Sequence, residues 1–361
     1  MKNLFDEVKI GNISVKNRFV RSATWENMTV DGYMNEDLYS IYEELAKGEV
    51  GLLLTGYANI VKEEQPNPGM FGVYDDSFIE GYKELCKRVH RHGSKIVLQV
   101  AYGGTKTKYK VEERTIFAPG NVPELSTGTV GQEMTKEDID YIVEAFAQSA
   151  RRAKEGGFDG IEIHGAHTYL INQFLSPYYN KRTDEYGGTL ENRMRFLVEI
   201  CQAIRKTAGS FPLLVKLTAT DFIEGGVTFE DTQKICQKME EIGVDVLEIS
   251  GNIHGKGESL IGETFDGYTL QKEAYFSKFA EIIADQCNVP VITVGGIKNF
   301  KTTDELLNSS NIAMFGISRP LLTEPHLIKR WKEGDYSKVK CVRCSKCRTP
   351  QGNYCVIFNK K

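Results

Sequence analysis

The chain has 361 residues, 41% apolar and 26% charged, with a formal net charge of −4 at pH 7. That balance argues against nucleic acid or an anionic membrane as the main partner. No window approaches about 18 uninterrupted apolar residues, and the N-terminus MKNLFDEVKIGN lacks the apolar core of a leader, so a cytoplasmic protein without a membrane span is expected.

Eight short apolar, β-branched runs recur along the chain, at 19–22, 51–56, 95–100, 160–164, 213–217, 244–250, 291–295 and 312–317. Each is too short for a helix and is bounded by Gly, Pro or polar residues. Each therefore reads as a strand buried on both faces. Helix signals lie between them. Thr135-Lys136-Glu137-Asp138 opens the run to Glu155 as a capping box, and Thr228-Phe229-Glu230-Asp231 does the same before Met239 and Ile242. In 190–206, Met194, Leu197, Ile200, Cys201 and Ile204 fall on one face. Eight strand-then-helix units predict a (β/α)8 barrel. A doubly wound sheet would carry a phosphate loop after its first strand, and no G-x-G-x-x-G or Walker sequence stands there. Two segments fall outside the repeat. Residues 103–134 are long, polar and turn-rich and read as a lid after the third strand. Residues 336–361 form a basic, cysteine-bearing tail, giving a barrel domain over 1–335 and a tail over 336–361.

His164 and His167 sit where the fourth strand gives way to a Gly/Ala turn, the end of a barrel strand at which active sites are built. Three readings are open for them. A zinc site would need a third ligand, for which His254 is the remaining loop histidine, and H-G-A-H lacks the Glu of H-E-x-x-H. Two turn histidines could be satisfied by backbone. The favoured reading is a pair of donors aimed at a developing oxyanion. Tyr169, two residues on, could supply a proton or simply pack. Gly295-Gly296 follow the seventh strand, and Gly316, Ser318 and Arg319 end the eighth, the usual phosphate position in barrels. Gln99 and Lys216 interrupt apolar strands and need partners. A flavin would serve both, the amide at its pyrimidine edge and the ammonium near N1.

These residues resemble the old yellow enzyme family of FMN-dependent oxidoreductases over essentially the whole chain. The likeness begins with KIGNISVKNRFVRSAT, is densest at GFDGIEIHGAHTYLINQFLSPYYNKRTDEYGGTLENRMRF, and closes with VGGI and FGISRPLLTEP. It implies an FMN-bearing barrel, with NAD(P)H as reductant and an electron-poor alkene of the enone type as substrate. His164 and His167 would hold the substrate carbonyl oxygen and Tyr169 would protonate carbon. Thr24 would meet the flavin C4 carbonyl. Ser22, Ala23, Gln99, His164 and Lys216 would flank the ring, with Gly56 beneath it. Gly295, Gly296, Ser318 and Arg319 would hold the phosphate. The chain departs from the family at Ser318, where Gly is usual, at Lys216, where Arg is usual, and after Gln99, where VAYGGT replaces L-x-H-x-G-R. Trp25, beside Thr24, would narrow the pocket.

Of eight cysteines, Cys86, Cys201, Cys236 and Cys287 stand singly and read as small buried apolar residues. Cys341, Cys344, Cys347 and Cys355 crowd the tail, which resembles the [4Fe–4S] segment of the larger relatives 2,4-dienoyl-CoA reductase and trimethylamine dehydrogenase. The last gap is shorter than theirs, so a cluster, zinc and free thiols all stay open. A tail cluster would make the protein a dehydrogenase or demethylase that passes electrons to a protein carrier. With the sequence ending at 361, the nucleotide-binding domains of those relatives are expected to be absent. The expected partners are small molecules, with self-association into a homo-oligomer open.

Overall fold

The computed structural model of the protein describes residues 1–251 and 260–358, so His254 lies outside the described residues. At its centre stand eight parallel strands. They are β1 (Phe19–Arg21), β2 (Leu52–Leu54), β3 (Lys95–Ala101), β4 (Gly160–Gly165), β5 (Leu213–Thr218), β6 (Val246–Ser250), β7 (Val291–Thr293) and β8 (Met314–Ile317). Each pairs with its successor and β8 pairs with β1, so the sheet closes into a (β/α)8 barrel. All eight coincide with the apolar runs, because strands walled in by helices on one face and by a filled interior on the other need apolar residues on both.

The surrounding helices are α1 (Glu36–Lys47), α2 (Ile79–His90), α3 (Lys136–Glu155), α4 (Leu190–Ala208), α5 (Phe229–Glu241), α6 (Ser277–Gln286), α7 (Phe300–Ser309) and α8 (Leu327–Lys332). The capping box at Thr135 is complete: its hydroxyl accepts from the Asp138 N–H, and the Asp138 carboxylate accepts from the Thr135 N–H. At Thr228 only half forms. The hydroxyl accepts from the Asp231 N–H, but the Asp231 carboxylate turns to Arg193 at 3.1 Å. An ion pair between helices outcompetes the local bond there.

Three further features shape the mouth of the barrel. After β2 the chain returns as Ala58–Asn59 and pairs with Val100 and Ala101 at the top of β3, which sets Tyr57 over the C-terminal rim. The 103–134 segment is stitched together rather than loose: Thr107, Thr127 and Thr129 donate to Pro66, Thr105 and Thr107 carbonyls, and Lys106 pairs with buried Glu124 at 2.8 Å. The tail lies across the loop after β1, where the Asn353 N–H and amide donate to the Glu26 and Trp25 carbonyls at 2.7 and 2.6 Å. At the other end, the hairpin Val8–Ile10 with Ile13–Val15 buries Ile10 and Val15 under the barrel floor. The four single cysteines are all buried.

Candidate active site at the mouth of the barrel

Two adjoining cavities open at the C-terminal ends of the strands. The first, of about 360 Å³, is walled by Ser22, Ala23, His167, Lys216, Gly295, Gly296, Ser318 and Arg319, together with Lys106 from the lid and Arg343 from the tail. The second, of about 550 Å³, is lined by Thr24, Trp25, Arg319, Arg343 and Arg348 among others. Thr24 bridges the two parts, since its hydroxyl donates to the Ser22 carbonyl and stands 2.9 Å from the Ser318 hydroxyl. Of the residues expected around a ring, Gln99 sits deeper, bonded to Glu162, and Gly56 lies off both cavities, packed against Glu26 and the Thr24 carbonyl.

The turn after β4 is backbone-strained. His167 and Thr168 both adopt left-handed conformations, at φ 59 and 63. Non-glycine residues held there cost about 1 kcal/mol or more each, a strain that persists only where the surroundings enforce it. Here the Asn172 side chain accepts from the Thr168 N–H at 2.7 Å. The turn brings His167 Nδ1 to 3.2 Å from His164 Nε2 and His167 Nε2 to 2.8 Å from the Ser250 hydroxyl.

This chain of contacts fixes the tautomers. The Ala166 N–H donates to His164 Nδ1 at 3.3 Å, so the proton of a neutral His164 is on Nε2 and goes to His167 Nδ1. The proton of His167 is then on Nε2 and goes to Ser250. Both rings are neutral. Burial, then the repulsion a protonated ring would meet from His167 and from Lys216, depresses His164 well below the ordinary histidine value; burial, then Lys216, brings His167 to about 3.

Tyr169 packs edge-on to His164, with ring centroids 4.6 Å apart. Burial raises its phenol to about 12, opposed by a hydrogen bond from Tyr57 and by the Arg348 guanidinium. Asn67 donates to the Tyr57 oxygen at 2.7 Å, and Tyr57 in turn donates to Tyr169. The Tyr169 oxygen thus accepts from Tyr57, which leaves its own proton free of that bond. Tyr57, Ser250 and Lys106 were not singled out from the sequence, although Tyr57 follows a strand end directly and Ser250 ends one.

Gly295 and Gly296 have φ of 99 and 79, and a Cβ on either would sit 2.6–2.7 Å from the Tyr275 ring. Only glycine lets this backbone face the cavity. A cradle without side chains, beside the Ser318 hydroxyl and Arg319, suits a phosphate. Ser22 and Lys216 suit the polar edge of a heterocycle.

Comparison with known proteins gives the family. Residues 3–338 match the model of the NADH:flavin oxidoreductase / NADH oxidase family. The chain belongs to that family. It is 34% identical over 348 residues to an NADH oxidase of Thermoanaerobacter brockii, covering 95% of this chain and 53% of that protein. It is 35% identical over 325 residues to an NADPH dehydrogenase of Geobacillus sp. (strain WCH70), covering 90% and 92% respectively. The chain thus spans about half the length of the first relative and nearly all of the second. An old yellow enzyme homologue from Zymomonas mobilis shares the fold, with a TM-score of 0.82 at 22% identity over 99% of both chains.

The four tail cysteines line one small cavity beside Arg319. Burial, then the neighbouring Cys341, Cys355 and Cys344 sulfurs, raises the Cys347 thiol. Among the described residues, however, no group of three His, Cys, Asp or Glu side chains is disposed to hold a metal ion. The donor type alone is what fits a thiolate-held metal. Among the described residues no helix is long and apolar enough to cross a membrane.

Proposed function

We propose that the protein is an FMN-dependent oxidoreductase that takes hydride from NAD(P)H and reduces the C=C bond of α,β-unsaturated carbonyl compounds. The observation that carries this reading is a pair of neutral imidazoles beside a phenol, with buried His164 and Tyr169 behind His167, which itself lines a cavity whose far end has the donors for a phosphate. FMN bound there would supply the hydride exchange between nicotinamide and carbon. Gly295, Gly296, Ser318 and Arg319 would hold its phosphate; Ser22, Ala23, Thr24 and Lys216 would flank its ring, with Gln99 below.

The chain's own groups do the rest. Each imidazole has one N–H to give, currently spent on His167 and Ser250. A substrate carbonyl oxygen competes with neutral bonds rather than with an ion pair, and gains as negative charge builds on it. Tyr169 supplies the proton to the neighbouring carbon. Its acidity is set by Tyr57 and Arg348 working against burial.

The test is an anaerobic half-reaction. Flavin-loaded protein is reduced, mixed with 2-cyclohexenone, and followed at the flavin's visible band. Rapid reoxidation with cyclohexanone formed supports the reading; a flavin that stays reduced refutes it.

A second reading has one observation in its favour, the convergence of Cys341, Cys344, Cys347 and Cys355 at the Arg319 end of the cavity. In it the protein would be a dehydrogenase, and a cluster held by these four thiolates would supply an outward route for electrons. Iron and sulfide bound to the purified protein, lost in Cys341→Ser together with electron transfer to an external acceptor, would favour it. Zinc in their place leaves the tail structural.

A further inference from the structure

At and below the cavity floor, consecutive strands place Gln99 (β3), Glu162 (β4), Lys216 (β5) and Glu248 (β6) inside the barrel, none more than 4% exposed, with Lys216 reaching the cavity wall. The register sets Gln99 beside Glu162 and Lys216 beside Glu248. Lys216 Nζ lies 3.0 Å from Glu248 Oε1, which also accepts the Ser22 hydroxyl at 2.7 Å. Gln99 donates to Glu162 Oε2 at 2.6 Å.

The remaining oxygens, Glu162 Oε1 and Glu248 Oε2, are buried with no donor assigned to them. Yet the two carboxyl groups are hydrogen-bonding neighbours. Two ionised carboxylates in contact repel, and each orphaned oxygen would be costly. One proton shared between the groups resolves both problems. Lys216 and Ser22 decide where it sits. Burial, then the Glu248 charge, pushes Glu162 well above the usual carboxylate range; against burial, Lys216 and its hydrogen-bonding neighbours hold Glu248 below that range.

We infer that Glu248 is a built-in counterion to Lys216, with Glu162 as its neutral, proton-bearing partner, and that this pair holds down the reduction potential of a flavin seated above. The inference rests on the FMN reading. An unpaired lysine beside the ring would stabilise the electron-rich reduced form and weaken it as a hydride donor. Glu248 cancels much of that charge from beneath and keeps the flavin reducing. Both glutamates act through Lys216, so they are positioning residues.

Sulfite is the probe, since its adduct with oxidised flavin leaves the ring negatively charged. Glu248→Gln holoenzyme should bind sulfite at least about tenfold more tightly than wild type, the effect of uncovering a unit charge within the barrel, and its midpoint potential should rise. Glu162→Gln should stay within about threefold of wild type, because an amide N–H replaces the acid proton. Without any flavin, wild-type protein at pH 9, where buried Glu64, raised only to about 7, is ionised, should show the infrared C=O stretch of a buried carboxylic acid, lost in Glu162→Gln. Unchanged sulfite affinity in flavin-loaded Glu248→Gln overturns the tuning role while leaving the cofactor reading intact. So does a Glu162→Gln shift as large as that of Glu248→Gln. A wild-type protein that takes no FMN overturns the cofactor reading and the tuning role together. Absence of the infrared band overturns the shared proton and needs no variant to fold.

Discussion

Lowering the pH from 8 to 5 should leave the imidazole pair uncharged and the oxidative half-reaction unchanged. At pH 5 a histidine of ordinary pKa, near 6.5, would be roughly 97% protonated, whereas one at about 3 would be roughly 1% protonated. The assay is stopped-flow reoxidation of pre-reduced protein by a saturating enone across that range. If charged imidazolium were the working donor, the rate would climb as the pH fell through 6.5. A step of more than about threefold centred near 6.5, absent in His167→Asn, would refute the neutral pair. Stability carries the opposite signature. Because the folded pKa lies below the unfolded one, the unfolded chain binds more protons below pH 6.5. Stability is therefore lost as the pH falls from about 6.5 toward 3. The full shift corresponds to about 4–5 kcal/mol; with His167 part-exposed to solvent, about 2 kcal/mol is the figure to expect. Urea titrations of wild type and His167→Asn at pH 7 and 4.5 measure it as a difference of differences. Equal losses in the two proteins would show that the ring titrates normally.

Three further outcomes follow from the site. His164→Ala with His167→Ala should retain FMN but slow enone reduction by about 10²–10³ for the first donor lost, and by less than the product for both; undiminished turnover removes the pair from the mechanism. Tyr169→Phe should accept hydride from NAD(P)H at the wild-type rate yet slow alkene reduction by about 10²–10⁴, and Tyr57→Phe should have a smaller effect in the same step; single-turnover kinetics of each half-reaction separate the two. Gly296→Val puts a branched side chain where φ is +79 and the Tyr275 ring is 2.7 Å from a Cβ. It should weaken FMN binding by at least about tenfold, read from the fluorescence of released flavin.

The barrel was legible because its strands are buried on both faces and so appear as apolar runs that stand out from amphipathic helices. The mouth was legible where a residue type is conspicuous, as with two histidines at a strand end or glycines after β7. What stayed hidden was pairing. Glu162 and Glu248 interrupt GIEIHG and VLEIS as plainly as Gln99 and Lys216 interrupt their strands, and the same desolvation argument applied to them. The one-dimensional pattern could not say that Gln99 meets Glu162 and Lys216 meets Glu248, since that depends on barrel register. Tyr57 was hidden for another reason. Nothing local marks the return of residues 58–59 to the edge of β3, and only that pairing turns the tyrosine over the rim. The half-formed cap at Thr228 shows the same limit, because Arg193, 38 positions earlier, claims the carboxylate.

The tail's grip on the loop after β1 has a consequence for the order in which the molecule is built. Asn353 donates to the Trp25 carbonyl across 328 positions of sequence, and Asn27 donates to the Thr349 carbonyl across 322. Such contacts form only once the intervening chain has collapsed, since they bring together segments far apart in sequence. On a ribosome the barrel can begin to close while the tail is still in the exit tunnel. The roof over Thr24 and Trp25 is then laid after the barrel beneath it, and a ligand arriving early meets an open-topped barrel.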